Sequence, residues 1–205
     1  MIALIASGVV LGLNAGVSPG PLLTLVITES LRGGWPAGFR VSLAPLITDS
    51  LIISLSLLVM APLPPWGLAA ISVVGGLLIV WMGWEAARTP PPAVAEVAAT
   101  GPAAGPLWKG VGTNLLNPHA YLFWLTAGGP LLKSALAQHG IGGPLTFLVS
   151  FFALLIGSKM VIALGVSRGR RFLQGRAYRL TLGLSGAALA VFGLYRVYEG
   201  VRGLL

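Results

Sequence analysis

Ten residues hold most of the chemistry that this chain offers, and they sit in an apolar background. Ser18-Pro19-Gly20-Pro21 interrupts a long apolar run. Its prolines lack amide donors and their rings block a continuing helix, so the helical ladder opens there. The opening frees carbonyls upstream and amides downstream. Lipid does not tolerate such groups, which survive only where they face protein or a watery cavity. Broken helices of this kind hold the charges of small cargo in transporters, although a plain packing kink uses the same residues. Asn114-Leu115-Leu116-Asn117-Pro118-His119 makes a second interruption, again a proline flanked by polar groups. Asp49, between Thr48 and Ser50, and Lys159, after Ser158, are ionisable residues in apolar runs. A charge there is costly unless paired or hydrated. Their opposite signs suit a structural ion pair or the two ends of a zwitterionic ligand. Asp49 is also the candidate for a coupling proton. His119 is a second candidate for that task by residue type, although a lone histidine more often only packs.

These groups need helices to position them. The 205 residues are 56% hydrophobic and 9% charged, with a mean hydropathy of +0.89. Soluble domains carry about a quarter charged residues. Apolar runs of about 20 residues are long enough to cross the hydrocarbon core as helices. Six such runs lie at about 2–28, 40–61, 66–87, 109–132, 142–166 and 180–200. Trp35, Trp66, Trp84, Trp108, Tyr178 and Tyr198 mark ends, as interfacial aromatics do. The alternation of a membrane β-barrel is absent. The expected fold is an all-α integral membrane protein of six transmembrane helices in two inverted three-helix repeats. Residues 1–87 form the first repeat and 108–205 the second, with the Pro/Ala/Gly-rich stretch 88–107 as linker. A half with three spans inserts upside-down relative to its partner. Paired interruptions in equivalent spans, here one and four, then mark a midplane site. Asp49 and Lys159 fall in spans two and five, again equivalent.

The net charge is +8 and there is no cysteine. Disulfides and thiol-ligated metals are excluded, no residue spacing suggests a metal site, and no nucleophile–base pair suggests an enzyme. No cofactor is expected. The basic residues read as topology signals rather than a nucleic-acid surface. Arg32, Arg40, Arg88, Lys109 and five arginines of the loop 167–179 share one side, against Lys133, Arg196 and Arg202 on the other. The positive-inside rule makes the first group cytoplasmic, including the Arg-rich loop, with both termini outside. The N-terminal run has no basic preface and reads as a retained first span. Glu29, Glu85 and Glu199 lie near span ends and read as interfacial. Gly8, Gly12, Gly16 and Gly20 recur every four residues. That bare face allows close internal helix packing and leaves a homodimer open.

The ordered motifs Gly16-Val17-Ser18-Pro19-Gly20-Pro21, Arg32-Gly33-Gly34 with Gly38, Asp49, Gly83-Trp84-Glu85, Lys109-Gly110, Asn114 to Pro118 and Phe123-Trp124 resemble the lysine-exporter (LysE/RhtB) family. The resemblance covers nearly the whole chain. It implies six spans and proton-driven efflux of amino acids or related metabolites from a prokaryotic inner membrane. The chain departs from the family pattern at His119, where Lys follows Asn-Pro, and at Thr48, where Gly precedes the aspartate. Lys159 has no place in that pattern. The expected mechanism is alternating access around one central cavity lined by both breaks. Freed amides with Lys159 or His119 would take a carboxylate. Asp49, Asn114 and Asn117 would take an ammonium. A metal-ion or small-anion exporter on the same scaffold is the alternative.

Overall fold

The computed structural model describes residues 1–60, 64–88, 105–168 and 176–204, and among them the only regular structure is helical. Most of the linker 88–107 and part of the loop 167–179 lie outside the described residues. Each of the six apolar stretches is mainly helical where described, with the first interrupted at 18–20 and the fourth at 116–117. The helical stretches Pro21–Val59 and Gly142–Arg168 are long and apolar enough to cross a membrane. Ile2–Val17 and Ala69–Met82 are shorter apolar helices.

Helix α1 (Ile2–Val17) stops where proline requires it, and α2 (Pro21–Ser42) restarts with Pro21 in its first turn. There the missing N–H costs nothing. The sequence suggested a turn near residues 32–34, with spans ending at 28 and resuming at 40. The turn is there, but as a single tight step: Gly34, at φ 73° and ψ 178°, is non-helical between two helical segments that run closer to it than 28 and 40, and glycine suits that φ. Pro36 follows as the first turn of the resumed helix. Helix α3 (Ala44–Met60) begins after Leu43, and α4 (Pro65–Arg88) closes the first half.

The second half opens with α5 (Pro106–Leu115). Asn117 caps α6 (Pro118–Phe123) by accepting the His119 N–H at 3.1 Å. A π-helical turn, Trp124–Gly128, then joins α6 to α7 (Gly129–His139). Pro130 has no N–H for the carbonyl of Thr126, four residues earlier, so the ladder shifts and Gly129 N–H bonds Trp124 O instead. The fourth apolar stretch therefore continues helically to His139, beyond the expected end near 132. Gly140, at φ 57°, turns the chain into α8 (Gly142–Arg168), and α9 (Arg176–Arg202) ends it.

Three glycine-lined seams set the packing. Gly8 meets Ser150 and the Phe147 carbonyl, Gly12 the Phe151 backbone, and Gly16 Ser158 and the Leu155 carbonyl. Contacts advance in step, so α1 and α8 run parallel. Gly20 has open space around it. The glycine stripe thus packs internally at three of its four positions. Gly110 meets Val41 and Ala44, and Asn114 meets Thr48, so α5 and α3 are parallel too. Gly76 meets Val197 and Gly200 meets Val73, an antiparallel fit of α4 on α9. A Cβ at Gly12 would press on the α8 backbone, which cannot rotate away. Gly12→Val should therefore lower thermal stability by ~1–3 kcal/mol, read from the unfolding midpoint of purified protein.

Two apolar clusters result. Leu22, Leu23, Val26, Ile27, Val41, Val111 and Ile162 tie α2, α5 and α8 together. Leu11, Ile52, Ile79, Phe123, Trp124, Phe147, Phe151, Leu155 and Leu189 join α1, α3, α4, α6, α8 and α9.

Candidate functional site

Both clusters contribute walls to one cavity of about 290 Å³. Nine of the ten residues singled out from the sequence line it: Ser18, Pro19, Gly20, Pro21, Asp49, Asn114, Asn117, His119 and Lys159. Pro118 is exposed and is not among the lining residues; it starts α6.

The first break is closed from two directions. Ser18 N–H donates to the Asn14 carbonyl at 2.8 Å, and Ser18 Oγ donates to Asn14 Oδ1 at 2.8 Å. The carbonyls of Ala15 and Gly16 would ordinarily accept from residues 19 and 20. Pro19 has no N–H, and Gly20 is extended, with φ 179°. Lys159 supplies the donors from α8. Its Nζ reaches Ala15 O at 2.9 Å and Gly16 O at 3.0 Å. A cation on the carbonyl end of a helix is also favoured by the helix dipole. The ammonium has three N–H groups, so this arrangement uses two of them.

The second break is served by α3. Asn114 Nδ2 donates to Thr48 Oγ1 at 2.6 Å and to Asp49 Oδ1 at 2.9 Å. Trp124 lines the same cavity. Trp124 is itself almost fully buried and projects from the π-helical turn. Asp49 is 5% exposed and Lys159 3%, yet they form no ion pair. Ion pairs among the described residues include Lys109–Glu29 at 2.9 Å and Arg196–Glu199 at 2.7 Å. Of the two arrangements that the sequence allowed for Asp49 and Lys159, the direct pair is not the one observed. Each of these middle-helix charges is held at the break of the other half.

His119 stacks on Trp81 with ring centroids 5.6 Å apart and planes within 5°. Asn117 uses one of the two acceptor positions of its side-chain oxygen on the α6 cap. Asn117→Ala should cost ~1 kcal/mol through loss of that cap, measurable as a lowered unfolding midpoint.

Sequence reasoning missed several lining residues. Glu85, read as interfacial, lies on the cavity with Ile79 and Met82. Their spacing of three residues on α4 was the available signal. Trp124 was noted only as part of a motif, and its place on the cavity depends on the π-helical turn. Glu29 was also read as interfacial; it is buried and ties α2 to α5 through Lys109.

The sequence profile described as LysE type translocator matches residues 13–200. The chain belongs to the LysE-type translocator family. Membership makes it a membrane protein of a transport family. It is similar to "Uncharacterized membrane protein YahN" of Escherichia coli (strain K12), with 28% identity over 197 residues covering 90% of this chain and 84% of that protein. It is also similar to "Putative amino acid efflux protein YcgF" of Bacillus subtilis (strain 168). That match has 28% identity over 92 residues, 45% of this chain and 44% of the relative. No solved structure matches this LysE-type translocator at a significant level.

Proposed function

We propose that this translocator is a secondary exporter of amino acids or closely related small metabolites, driven by the proton gradient across a cell inner membrane. One observation carries the reading. Two buried opposite charges line one cavity beside both helix breaks, without neutralising each other directly. Such a cavity offers complementary charge to both ends of a zwitterion. The carboxylate would take the remaining Lys159 donor and the freed amides at the start of α2. The ammonium would take Asp49, with the Asn114 and Asn117 amide oxygens and freed carbonyls as further acceptors. Asp49 would carry the exchanged proton.

The reading has six spans in two inverted halves, residues 1–87 and 108–205, with the Arg-rich loop cytoplasmic and both termini outside. The packing supports it. Exchanging the halves converts the parallel α1–α8 pair into the parallel α5–α3 pair and returns the antiparallel α4–α9 pair to itself. Alternating access would then open the cavity to each side in turn. A homodimer would leave this central cavity within each subunit.

The test uses purified full-length protein in proteoliposomes loaded with labelled amino acids. Efflux that rises when the outside is acidified relative to the inside, and that collapses with a protonophore, is the expected result. Indifference to both pH and voltage removes proton coupling. A thermal-shift panel of amino acids against divalent metals and small anions separates the two cargo classes, because binding to the folded state raises apparent stability. Stabilisation by metals or small anions alone would overturn the amino-acid reading in favour of the alternative exporter.

A further inference from the structure

The cavity is polar at the helix breaks and apolar beyond them, and this asymmetry bears on which side chain its cargo carries. Helices α1 and α8 run parallel. On α8, Phe151 and Leu155 precede Lys159 by eight and four residues on one face, about 12 Å and 6 Å along the axis. On α1, Leu11 precedes Asn14 and Ser18 in the same sense. Ile79 of α4 and Leu189 of α9 join the same apolar cluster. These five residues are between 1% and 4% exposed, and all line the cavity. They form an apolar part of the lining, which we term its floor, and none carries a charged or hydrogen-bonding side chain. Glu85, the cavity's other carboxylate, is exposed and lies six residues past Ile79, toward the opposite end of α4.

The volume bears on size. At about 290 Å³ the cavity lies at the small end of small-molecule pockets, enough for one free amino acid.

Resting on the amino-acid reading above, we infer that the preferred cargo is an α-amino acid with an uncharged, apolar side chain of about leucine or methionine size. Its side chain enters the floor of Leu11, Ile79, Phe151, Leu155 and Leu189 while its head group lies between Lys159 and Asp49. An apolar side chain gains by leaving water there. A lysine or glutamate side chain would bring an unpaired charge into the same place.

The experiment measures efflux of labelled leucine, methionine, alanine, lysine and glutamate from proteoliposomes containing the full chain. Leucine and methionine should exceed lysine and glutamate by at least about 10-fold. Leu189→Phe fills part of the floor and should shift the leucine-to-alanine ratio toward alanine by about 10-fold. Leu155→Asp should raise lysine relative to leucine. If Leu155→Asp does not fold, the Leu189→Phe ratio still decides. Lysine moved as well as leucine, with Glu85→Gln removing only the lysine flux, would overturn the inference and leave amino-acid export standing. A Leu189→Phe ratio equal to the parent's would overturn the floor's role. Movement of no amino acid at all would instead sink the proposed function.

Discussion

Asp49→Asn should leave the protein at least as stable as the parent and unable to export. The asparagine oxygen still accepts from Asn114, which bonds the carboxylate in the parent. What disappears is a buried charge. Removing one that lacks a direct ion partner relieves a desolvation cost, so the unfolding midpoint holds or rises. The cargo ammonium, however, loses its counter-charge, and no exchangeable proton remains. Removing one member of a buried charge contact costs ~2–5 kcal/mol, so the loss of flux is about 30-fold or more. Efflux and thermal unfolding of the same preparation check both halves of the statement. Parental flux would show that Asp49 neither reads cargo nor carries the proton. A steep fall in the midpoint would make its role structural.

Lys159→Met should fail differently, losing export and stability together. The ammonium stands in for two donors that Pro19 and Gly20 cannot provide. Hydrogen bonds to a charged group are worth ~1.5–3 kcal/mol each. Relief of the buried ammonium's own desolvation offsets part of that, leaving a net loss of about 2–4 kcal/mol. The unfolding midpoint of Lys159→Met measures this loss, and labelled efflux measures the other. The double variant with Asp49→Asn is informative. If the two side chains hold opposite ends of one molecule, its flux should be no lower than that of the worse single variant, because residues acting as a unit are non-additive. Multiplicative losses would mean separate tasks.

Much of this site was legible because its signals are local. Proline acts through its own missing hydrogen, so Pro19, Pro21 and Pro118 announced their breaks without any tertiary information. Asp49 and Lys159 stood out against apolar neighbours. Their partners were less legible, since Lys159 answers a carbonyl shortage on a helix 143–144 residues away in sequence. The turn at Arg32-Gly33-Gly34 was legible as well, since the non-helical Gly34 sits there, but its tightness was not. Gly-Gly and Trp-Pro suit a longer loop equally well, so local sequence does not say how close to Gly34 the two helical segments run. Glu85 was hidden by its place near a run's end. The π-helical turn that presents Trp124 follows from Pro130, but no composition rule says that a proline will shift the ladder rather than end it.

The interlocked seam between α1 and α8 has a mechanical consequence. Those helices come from opposite halves of the chain, yet bare glycine faces and the Lys159 bonds hold them together. Helices α3 and α5 are joined across the halves in the same way. The proposed division into two triplets is therefore not the division along which the molecule would hinge. Any rigid lever in a working cycle has to be assembled from both ends of the polypeptide, like scissors whose blades each belong to the other handle.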